Sequence, residues 1–433
     1  MTDARLHHLG QRQTGRRKTM TRLVGLGAAL ALLAACATGT QGGSSSSSPS
    51  SPSGNADAAT QAKLQQTMNS IMDQYKLKAF IVRVTKDGQD YYTSATGEAL
   101  KGVPATPALH FRNGSMAFTY IGEIFAKLID AKKVSLDDKL STWFPNYPRA
   151  NQVTVKNLLN MTSGYADYVY QPVVGAAQNS DPWKQWTTDE LVAIGLNGPE
   201  QFAPGTNWGY SHTNYAVLAQ VLEKLTGKPM AAVMQEYIIG PMNLTQTGDN
   251  AGTPLIPEPA MHAFTIERSE YFKAPAKTPI YEESTYWNPS WSAANGAVQT
   301  TNIYDMTTSM EIIGSGSQVS KEMYAAQTDP NLIGVGKKDP SGKCQVCRPN
   351  TATLSYGLGV FRLGSWITQT KSFAGSAATT GYLPSDKLAV SVAMTYNEAA
   401  FVDAGNLNAS SIGAFRAVID AVAQGKAPEQ PKA

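Results

Sequence analysis

Strand-like patterns lie towards both ends of this chain, with helical patterns between them. Near the start, residues 60–75 repeat apolar groups at helical spacing, and "FIVRVTKDGQDYYTSATG" gives two strand-like runs around Asp87 and Gly88. Near the end, "LSYGLGVFRL", "TKSFAGS" and "LAVSVAMTYN" each predict a strand, and residues 411–422 predict a closing helix. A sheet built from both ends of one domain accounts for this order.

The middle of the chain predicts a mainly helical insertion. Residues 115–132 form a long amphipathic pattern in which Phe118, Ile121, Phe125 and Leu128 recur at helical intervals. A shorter helix is predicted over residues 213–226, followed by aromatic and proline-rich loops. The prediction is an α/β (α+β) fold over residues 59–425: an antiparallel sheet flanked by helices, with an inserted helical lobe and a C-terminal tail at 426–433.

The first residues of the chain indicate export. Six basic residues precede an apolar run at 23–35, which is too short to cross a membrane because a spanning helix needs about 20 apolar residues. The run ends in "LAAC", which resembles the bacterial lipobox. We therefore predict a lipoprotein signal peptide at 1–35 and lipidation of Cys36, which would anchor the protein to the outer face of the cell membrane. The start at Met1 or Met20 and the export route stay open.

Residues 36–58 predict a flexible tether, since "ATGTQGGSSSSSPSSPSGNADAA" is rich in Gly, Ser and Pro and has too little apolar surface to fold. The formal charge of the whole chain is +3, but the signal peptide holds six basic residues and one acidic residue, which leaves −2 for the remainder. The sequence has no basic patch of the kind that would indicate a nucleic-acid partner.

The cysteine and histidine patterns give no sign of a metal site. Apart from Cys36, the thiols are Cys344 and Cys347 in "GKCQVCRPN", and in an exported protein we predict a local disulfide between them that pins a loop. A zinc half-site would need a second pair of ligands, and a redox motif would need a thioredoxin-like βαβ context. The five histidines form no HExxH or other metal-ligand spacing, so we predict no metal and no other cofactor.

Several phrases, taken together and in order, resemble the serine β-lactamase and penicillin-binding D-alanyl-D-alanine carboxypeptidase superfamily, especially its class C-related branch. The phrases are "FRNGS", "VSLDDKLSTWFPNYP", "VTVKNLLNMTSGYADY", "PGTNWGYSHTNYAVLAQVLEKLTGKP", "YGLGVF" and "GYLPSDKLAVSVAMTYN". They extend from about residue 63 to about residue 422. The resemblance implies acyl transfer through a covalent serine ester, with three sequence elements around one cleft.

The first element of the family is a serine at a helix start with a lysine three residues later. Such residues share one helix face, about 5 to 6 Å apart, which allows the lysine to activate the serine. The resemblance makes Ser115 the nucleophile and places Phe118 at the lysine position. From the residues alone, Ser115 also suits a helix N-cap, and Phe118 suits packing in the helix core.

The second element is a tyrosine followed two residues later by asparagine, and here it reads "YSH". The resemblance gives Tyr210 the role of base and acid, while His212 departs from the asparagine but can still hydrogen-bond a substrate. A lone histidine is more often structural than catalytic. We predict that both residues line the cleft.

The third element lies on the strand at the edge of the cleft, where a cation or histidine is followed two places later by glycine. By alignment it is "FAG", so Phe373 replaces the cation and Gly375 lets substrate approach the backbone. The resemblance also predicts an oxyanion hole from the amides of Ser115 and Ser376. Lys371, on the same strand face as Phe373, is a weaker candidate for a displaced cation, since two residues along a strand span roughly 6.5 Å.

These departures lead to three hypotheses. The first is a tethered envelope lipoprotein with impaired catalysis, because a positioned base contributes roughly 100-fold to 10,000-fold. It would bind a small acyl or peptidoglycan-like ligand in a cleft that two phenylalanines make more apolar. The second is an active serine hydrolase, of esterase, β-lactamase or D-alanyl peptidase type, that uses Ser115 with Tyr210 as base. The third is a scaffold that contacts partners through its surface and whose cleft catalyses no reaction.

Overall fold

The computed structural model describes residues 52–249, 253–328, 332–403 and 406–431. The predicted signal peptide, Cys36 and most of the predicted tether lie outside the described residues. In the part of the chain that is described, no helix combines the length and the apolar character needed to cross a membrane.

Antiparallel strands and surrounding helices make up the described chain. The strands are β1 (Leu77–Lys86), β2 (Gln89–Leu100), β3 (Val103–Pro104), β4 (Phe111–Arg112), β5 (Gly248–Asp249), β6 (Phe264–Thr265), β7 (Glu282–Glu283), β8 (Gln299–Thr301), β9 (Leu354–Tyr356), β10 (Phe361–Leu363), β11 (Trp366–Phe373), β12 (Ser376–Leu383), β13 (Leu388–Tyr396), β14 (Phe401–Asp403) and β15 (Asn406–Leu407). The α-helices are α1 (Ala58–Tyr75), α2 (Met116–Asp130), α3 (Val155–Leu159), α4 (Pro172–Ser180), α5 (Thr188–Asn197), α6 (His212–Thr226), α7 (Met230–Met234), α8 (Ile303–Ser315), α9 (Lys321–Thr328) and α10 (Ser411–Val422).

Both ends of the domain contribute to one sheet, as the sequence predicts. Within the described residues, eight strands follow the order β3-β2-β1-β13-β12-β11-β10-β9. The strand β1 pairs antiparallel with β13, and Ile81 lies opposite Ala393. The predicted α+β architecture, with an antiparallel sheet flanked by helices, is therefore confirmed.

The sheet is buried on both faces, which explains the continuous apolar run in "FIVRV". Phe80 and Val82 pack with residues of α1 and α10 on one face of the sheet. Ile81 points to the other face, where it joins the core that contains α2 and the helical lobe. All three side chains are fully buried. This alternation follows from the period of two along a strand.

The domain begins before the predicted boundary at residue 58. Ser53 and Thr93 exchange two backbone hydrogen bonds of 2.9 Å, and the amide of Ala56 donates to the carbonyl of Tyr91 at 2.9 Å. The Ala56 side chain is buried. The last residues of the predicted tether therefore pair with β2 and belong to the domain, because their backbone groups find partners at the sheet edge that composition alone does not reveal.

The predicted tail also packs on the domain. The indole nitrogen of Trp366 donates to the carbonyl of Lys426 at 2.8 Å. The guanidinium of Arg416 donates to the carbonyl of Pro428 at 2.6 Å. These contacts extend the domain beyond residue 425 to at least residue 428.

The predicted strand "TKSFAGS" is instead the end of one strand, a turn and the start of the next. Phe373 closes β11 opposite Ser376, which opens β12. Between them Gly375 has a φ of +78°, a left-handed conformation that glycine adopts at little cost and that a hairpin turn requires. The prediction that Phe373 and Gly375 lie on one face of an extended strand is therefore wrong.

We predict that Gly375→Ala destabilises the fold more than Gly364→Ala does. Both glycines have positive φ, which costs an alanine roughly 1 to 2 kcal/mol. A Cβ on Gly375 would also clash with the backbone of Phe264, whereas a Cβ on Gly364 meets no atom within 4 Å. Urea unfolding of the two variants isolates the clash, and equal losses in the free energy of unfolding would contradict this account.

Candidate active site

The start of α2 places Ser115 at the edge of a cavity. The chain leaves β4, passes through Gly114 at a φ of +53°, and begins the helix at Met116. The first three turns of α2 are almost entirely buried, so the helix start is held firmly by packing. Ser115 is the N-cap residue by position, but its side chain makes no capping hydrogen bond. Its hydroxyl is therefore not used to terminate the helix.

Tyr210 and Ser115 line the same cavity. Burial raises the pKa of Tyr210 well above its ordinary value and nearby Tyr356 adds to the effect, while the hydroxyl of Ser115 opposes it. The ring of Tyr210 stacks on Phe361 with centroids 5.9 Å apart. Tyr210 therefore keeps its proton at neutral pH and needs another group to accept a proton from it.

Phe118 fills the place that the resemblance assigns to lysine. Its side chain is fully buried, and its ring stacks on Tyr215 with centroids 4.3 Å apart. The ring also lies 5.8 Å from that of Tyr210 and 5.4 Å from that of His212. Phe118 thus packs in the core, as the residue pattern suggested, directly behind the two polar rings of the second element.

His212 is paired with Asp167, a residue that the sequence analysis did not single out. The Nδ1 atom of His212 lies 2.8 Å from Oδ2 of Asp167, whose side chain is only 2% exposed. The other carboxylate oxygen of Asp167 accepts the amide N–H of Val169 at 3.1 Å. Asp167 and His212 are 45 residues apart in sequence. No local spacing rule connects residues at that distance, so the fold alone reveals the pair.

Ser115, Tyr210 and His212 line one cavity of about 570 Å³. The strand β11 supplies Thr370 and Ser372 to its wall. Because side chains alternate along a strand, the neighbouring Lys371 and Phe373 project to the opposite face. The structure therefore brings together the first two predicted elements and places Thr370 and Ser372 on the wall where the third was expected.

Phe373, Gly375 and Ser376 are not among the residues that line this cavity. The ring of Phe373 stacks on Trp291 with centroids 5.6 Å apart and faces a separate cavity of about 180 Å³. The backbone that approaches Gly375 closely is that of Phe264 in β6, not a ligand. The alignment of the third element onto "FAG" is thus corrected, because this stretch turns at Gly375.

Lys371 does not replace the missing cation in the cavity. Its ammonium donates to the hydroxyl of Ser376 at 2.6 Å, on the face of β11 away from the cavity. Burial, reinforced by the charge of Arg112, lowers the pKa of Lys371 to about 7. The stem of Lys371 packs against Gly114, where a Cβ would lie 2.9 Å from that of Lys371. The glycine before Ser115 therefore makes room for this side chain.

A loop closed by a disulfide forms the remaining wall. Cys344 and Cys347 are joined, and a Cβ on Gly209, the residue before Tyr210, would lie 3.2 Å from both sulfur atoms. The loop brings Gln345, Val346, Cys347 and Arg348 to the cavity, and Lys338 lies nearby on its wall. The disulfide thus holds this wall against the backbone that carries Tyr210.

Two cations face the cavity, which differs from the apolar cleft predicted from the phenylalanines. Burial lowers the pKa of Arg348, and the guanidinium carbon lies 5.0 Å from the ring centroid of Trp208. Among the described residues, no carboxylate lies within ion-pairing distance of Arg348 or Lys338. In the same part of the chain, no three His, Cys, Asp or Glu side chains converge to hold a metal ion. The cavity therefore offers uncompensated positive charge beside the serine.

A family model described as Beta-lactamase matches residues 64–412 of the chain. Penicillin-binding protein 4* of Bacillus subtilis is 33% identical over 134 residues, which are 31% of this chain and 28% of that protein. Esterase EstB of Burkholderia gladioli is 25% identical over 211 residues, 46% of this chain and 53% of that protein. The matches thus span about a quarter to a half of the length of these relatives.

Proteins of solved structure share this fold. A D-stereospecific amidohydrolase from Streptomyces sp. superposes with a TM-score of 0.67 at 22% identity, and the match covers 84% of this chain and 99% of that one. At this identity the likeness shows the fold alone. The family model, by contrast, covers most of the chain and includes Ser115, Tyr210 and the strands β11 to β13. The chain therefore belongs to the Beta-lactamase family.

Proposed function

We propose that this protein is a serine hydrolase that cleaves small acyl esters through a covalent ester on Ser115. The observation that carries the proposal is that Ser115, whose hydroxyl makes no capping hydrogen bond, lines a cavity together with Tyr210, and this cavity is large enough for a small ligand. A serine that served only as a helix cap would direct its hydroxyl to the helix amides, and Ser115 does not. The esterase activity named for EstB is consistent with this substrate class.

In the proposed reaction, the oxygen of Ser115 attacks the acyl carbonyl while its proton passes to the oxygen of Tyr210, which at the same time gives its own proton to a further acceptor in the cavity. When the tetrahedral intermediate collapses, the bond to the alkoxide breaks and the proton returns through Tyr210 to the alkoxide, which leaves as an alcohol. The negative charge that develops on the carbonyl oxygen needs preorganised donors. We assign this role to the backbone amides of Ser115 and Ser372. Ser115 stands at the positive end of α2, and Ser372 lies on the cavity wall in the part of β11 that β10 does not pair. Water then cleaves the acyl-enzyme.

The competing hypothesis is a binding protein with impaired catalysis, and Phe118 is the observation that favours it. No amine occupies the lysine position, and burial keeps Tyr210 protonated. Loss of a base costs roughly 100-fold to 10,000-fold in rate, which slows acylation without preventing it. Covalent reaction of Ser115 therefore separates the two hypotheses.

We predict that a fluorophosphonate probe modifies wild-type protein at Ser115 with one-to-one stoichiometry. Ser115→Ala abolishes the mass increase because the attacking oxygen is gone. Tyr210→Phe slows the modification at least about 100-fold, because the serine proton loses its acceptor. Intact mass over time, followed by peptide mapping, provides the measurement, and thermal unfolding confirms that each variant is folded. An unmodified wild-type protein would favour the binding hypothesis.

We predict that Arg348 selects substrates with a carboxylate. Arg348→Gln raises KM for a carboxylate-bearing ester about 10-fold or more, since a desolvated charged hydrogen bond contributes about 1.5 to 3 kcal/mol. The neutral ester of the same acyl group is the control, and its KM changes little. Arg348→Lys keeps the charge but loses the planar fork, so it retains part of the preference. Equal effects on both esters would show that Arg348 is structural.

We further propose that the protein is a lipoprotein on the outer face of the cell membrane, and "LAAC" with its basic and apolar flank supports this. Cys36→Ala removes the thiol that would carry the lipid. We predict that the variant leaves the membrane fraction and that its precursor accumulates uncleaved. Fractionation with immunoblotting measures both effects. A wild-type protein found without lipid in the soluble fraction would contradict the proposal.

A further inference from the structure

We propose that His212, held by Asp167, is the proton acceptor that takes over the role of the lysine absent at residue 118. The inference rests on the proposed function, because a proton acceptor matters only if Ser115 attacks a substrate. It assigns chemistry to a residue that departs from the family pattern, and to a carboxylate outside the three sequence elements described above.

Asp167 fixes the orientation of the His212 imidazole. Its Nδ1 is engaged with Oδ2 of Asp167 at 2.8 Å, which in the neutral ring makes Nδ1 the donor and leaves Nε2 as the acceptor. The Asp167 carboxylate is fixed from the other side by the amide of Val169. A buried carboxylate in this position stabilises the imidazolium that forms when Nε2 takes a proton.

His212 also lies on the wall of the cavity that holds the nucleophile. His212 is the first residue of α6 and lines the same cavity as Ser115. The centroid of its ring lies 5.3 Å from that of Tyr210, and Tyr210 lines this cavity too. The nucleophile, the phenol and the imidazole are therefore grouped around one cavity.

The proton balance is complete without any added group. As the Ser115 oxygen bonds to the acyl carbon, its proton moves to the Tyr210 oxygen and the Tyr210 proton moves to Nε2 of His212. When the tetrahedral intermediate collapses, the same two transfers run in reverse and the proton reaches the leaving alkoxide. Water repeats the cycle in deacylation. Tyr210 never has to exist as a stable phenolate, which its buried surroundings disfavour.

Phe118 and His212, the two departures from the family pattern, are in contact. The ring of Phe118 packs edge-on against His212, with centroids 5.4 Å apart at 74°. A lysine at residue 118 would bring an ammonium group to the imidazole and oppose its protonation. Phe118 carries no charge, and its apolar ring packs against the imidazole. Phenylalanine at residue 118 is therefore compatible with a histidine at residue 212 that accepts a proton.

Several titratable or charged groups surround the imidazole and set its environment. They are Asp167, Tyr168 and Tyr210, which contact it, and Tyr170, Lys338 and Arg348 across the cavity. The start of α6 also carries a partial positive charge, which disfavours an imidazolium there. Asp167 is the group in contact that offsets these cations.

A second histidine–carboxylate pair, outside the cavity that contains Ser115, provides a control for the loss of such a contact. His262 Nδ1 lies 2.6 Å from Oε1 of Glu283, and its side chain is 15% exposed against 16% for His212. His262 does not line the cavity that contains Ser115. Each substitution thus removes a histidine of similar exposure from a carboxylate, although Glu283 is 39% exposed and Asp167 only 2%. Of the two histidines, His212 is the one that lines the cavity with Ser115.

The experiment compares His212→Ala with His262→Ala in the rate of fluorophosphonate modification of Ser115, followed by intact mass. We expect His212→Ala to slow modification at least about 100-fold and His262→Ala to leave it unchanged. Added imidazole restores a measurable part of the rate in His212→Ala only, and forms no adduct in a Ser115→Ala protein.

A second variant tests the replacement directly. His212→Asn, which introduces the family residue, loses activity, and Phe118→Lys added to it restores part of the rate by supplying the family's amine. Asp167→Asn is expected to lower the rate less than His212→Ala does, because it removes the stabilising charge but not the acceptor. Thermal unfolding identifies any variant that fails to fold, and the imidazole experiment does not depend on the lysine variant.

The outcomes separate this inference from the proposed function. If Ser115 reacts in the wild type and His212→Ala reacts at the same rate, the serine hydrolase stands and the role of His212 is refuted. If Ser115 does not react in the wild type, both are refuted. If His212→Ala is slow and added imidazole restores none of the rate, the defect is structural and the proton-acceptor role is refuted.

Discussion

Burial of α2 between the sheet and the helical lobe is the constraint on which the site depends. The helix has almost no exposed face in its first three turns, so its start cannot shift without disturbing the core on several sides. Ser115 inherits this rigidity, and Lys371 packs against the glycine that precedes it. A nucleophile held in this way requires little reorganisation before attack, which is the property that preorganised catalytic sites share.

The sequence was sufficient for the architecture but not for every element of the site. The apolar runs at 77–86 and 388–396 pair because both must be buried on two faces, and this is visible in their composition. Gly375 was misread because a glycine in a strand and a glycine in a hairpin turn look alike in sequence. The difference lies in a φ of +78° and in the approach of Phe264, which are set by the fold.

The other differences between the predicted and the observed site come from residues that are far apart in sequence but in contact in the fold. Asp167 and His212 meet because the turn before α4 and the start of α6 are packed side by side, and a separation of 45 residues hides this from any local pattern. Arg348 reaches the cavity on a loop that a disulfide closes and that a backbone bridge between Cys347 and Gly209 holds in place. The prediction of an apolar cleft considered residues on the family motifs alone. It missed the charges that a loop outside those motifs delivers.

Because this chain has phenylalanine at the position of the family's lysine, the positive charge of the protonated base must be stabilised at another residue. A lysine at residue 118 would lie in a fully buried position among aromatic rings, where desolvation disfavours an ammonium. A histidine at residue 212 lies at the cavity edge, where it is partly solvated and contacts a buried carboxylate. The charge of the protonated base then costs less desolvation, and Phe118 contributes packing that a lysine could not. The aromatic core therefore stabilises the fold, while the Asp167–His212 pair places a proton acceptor next to solvent.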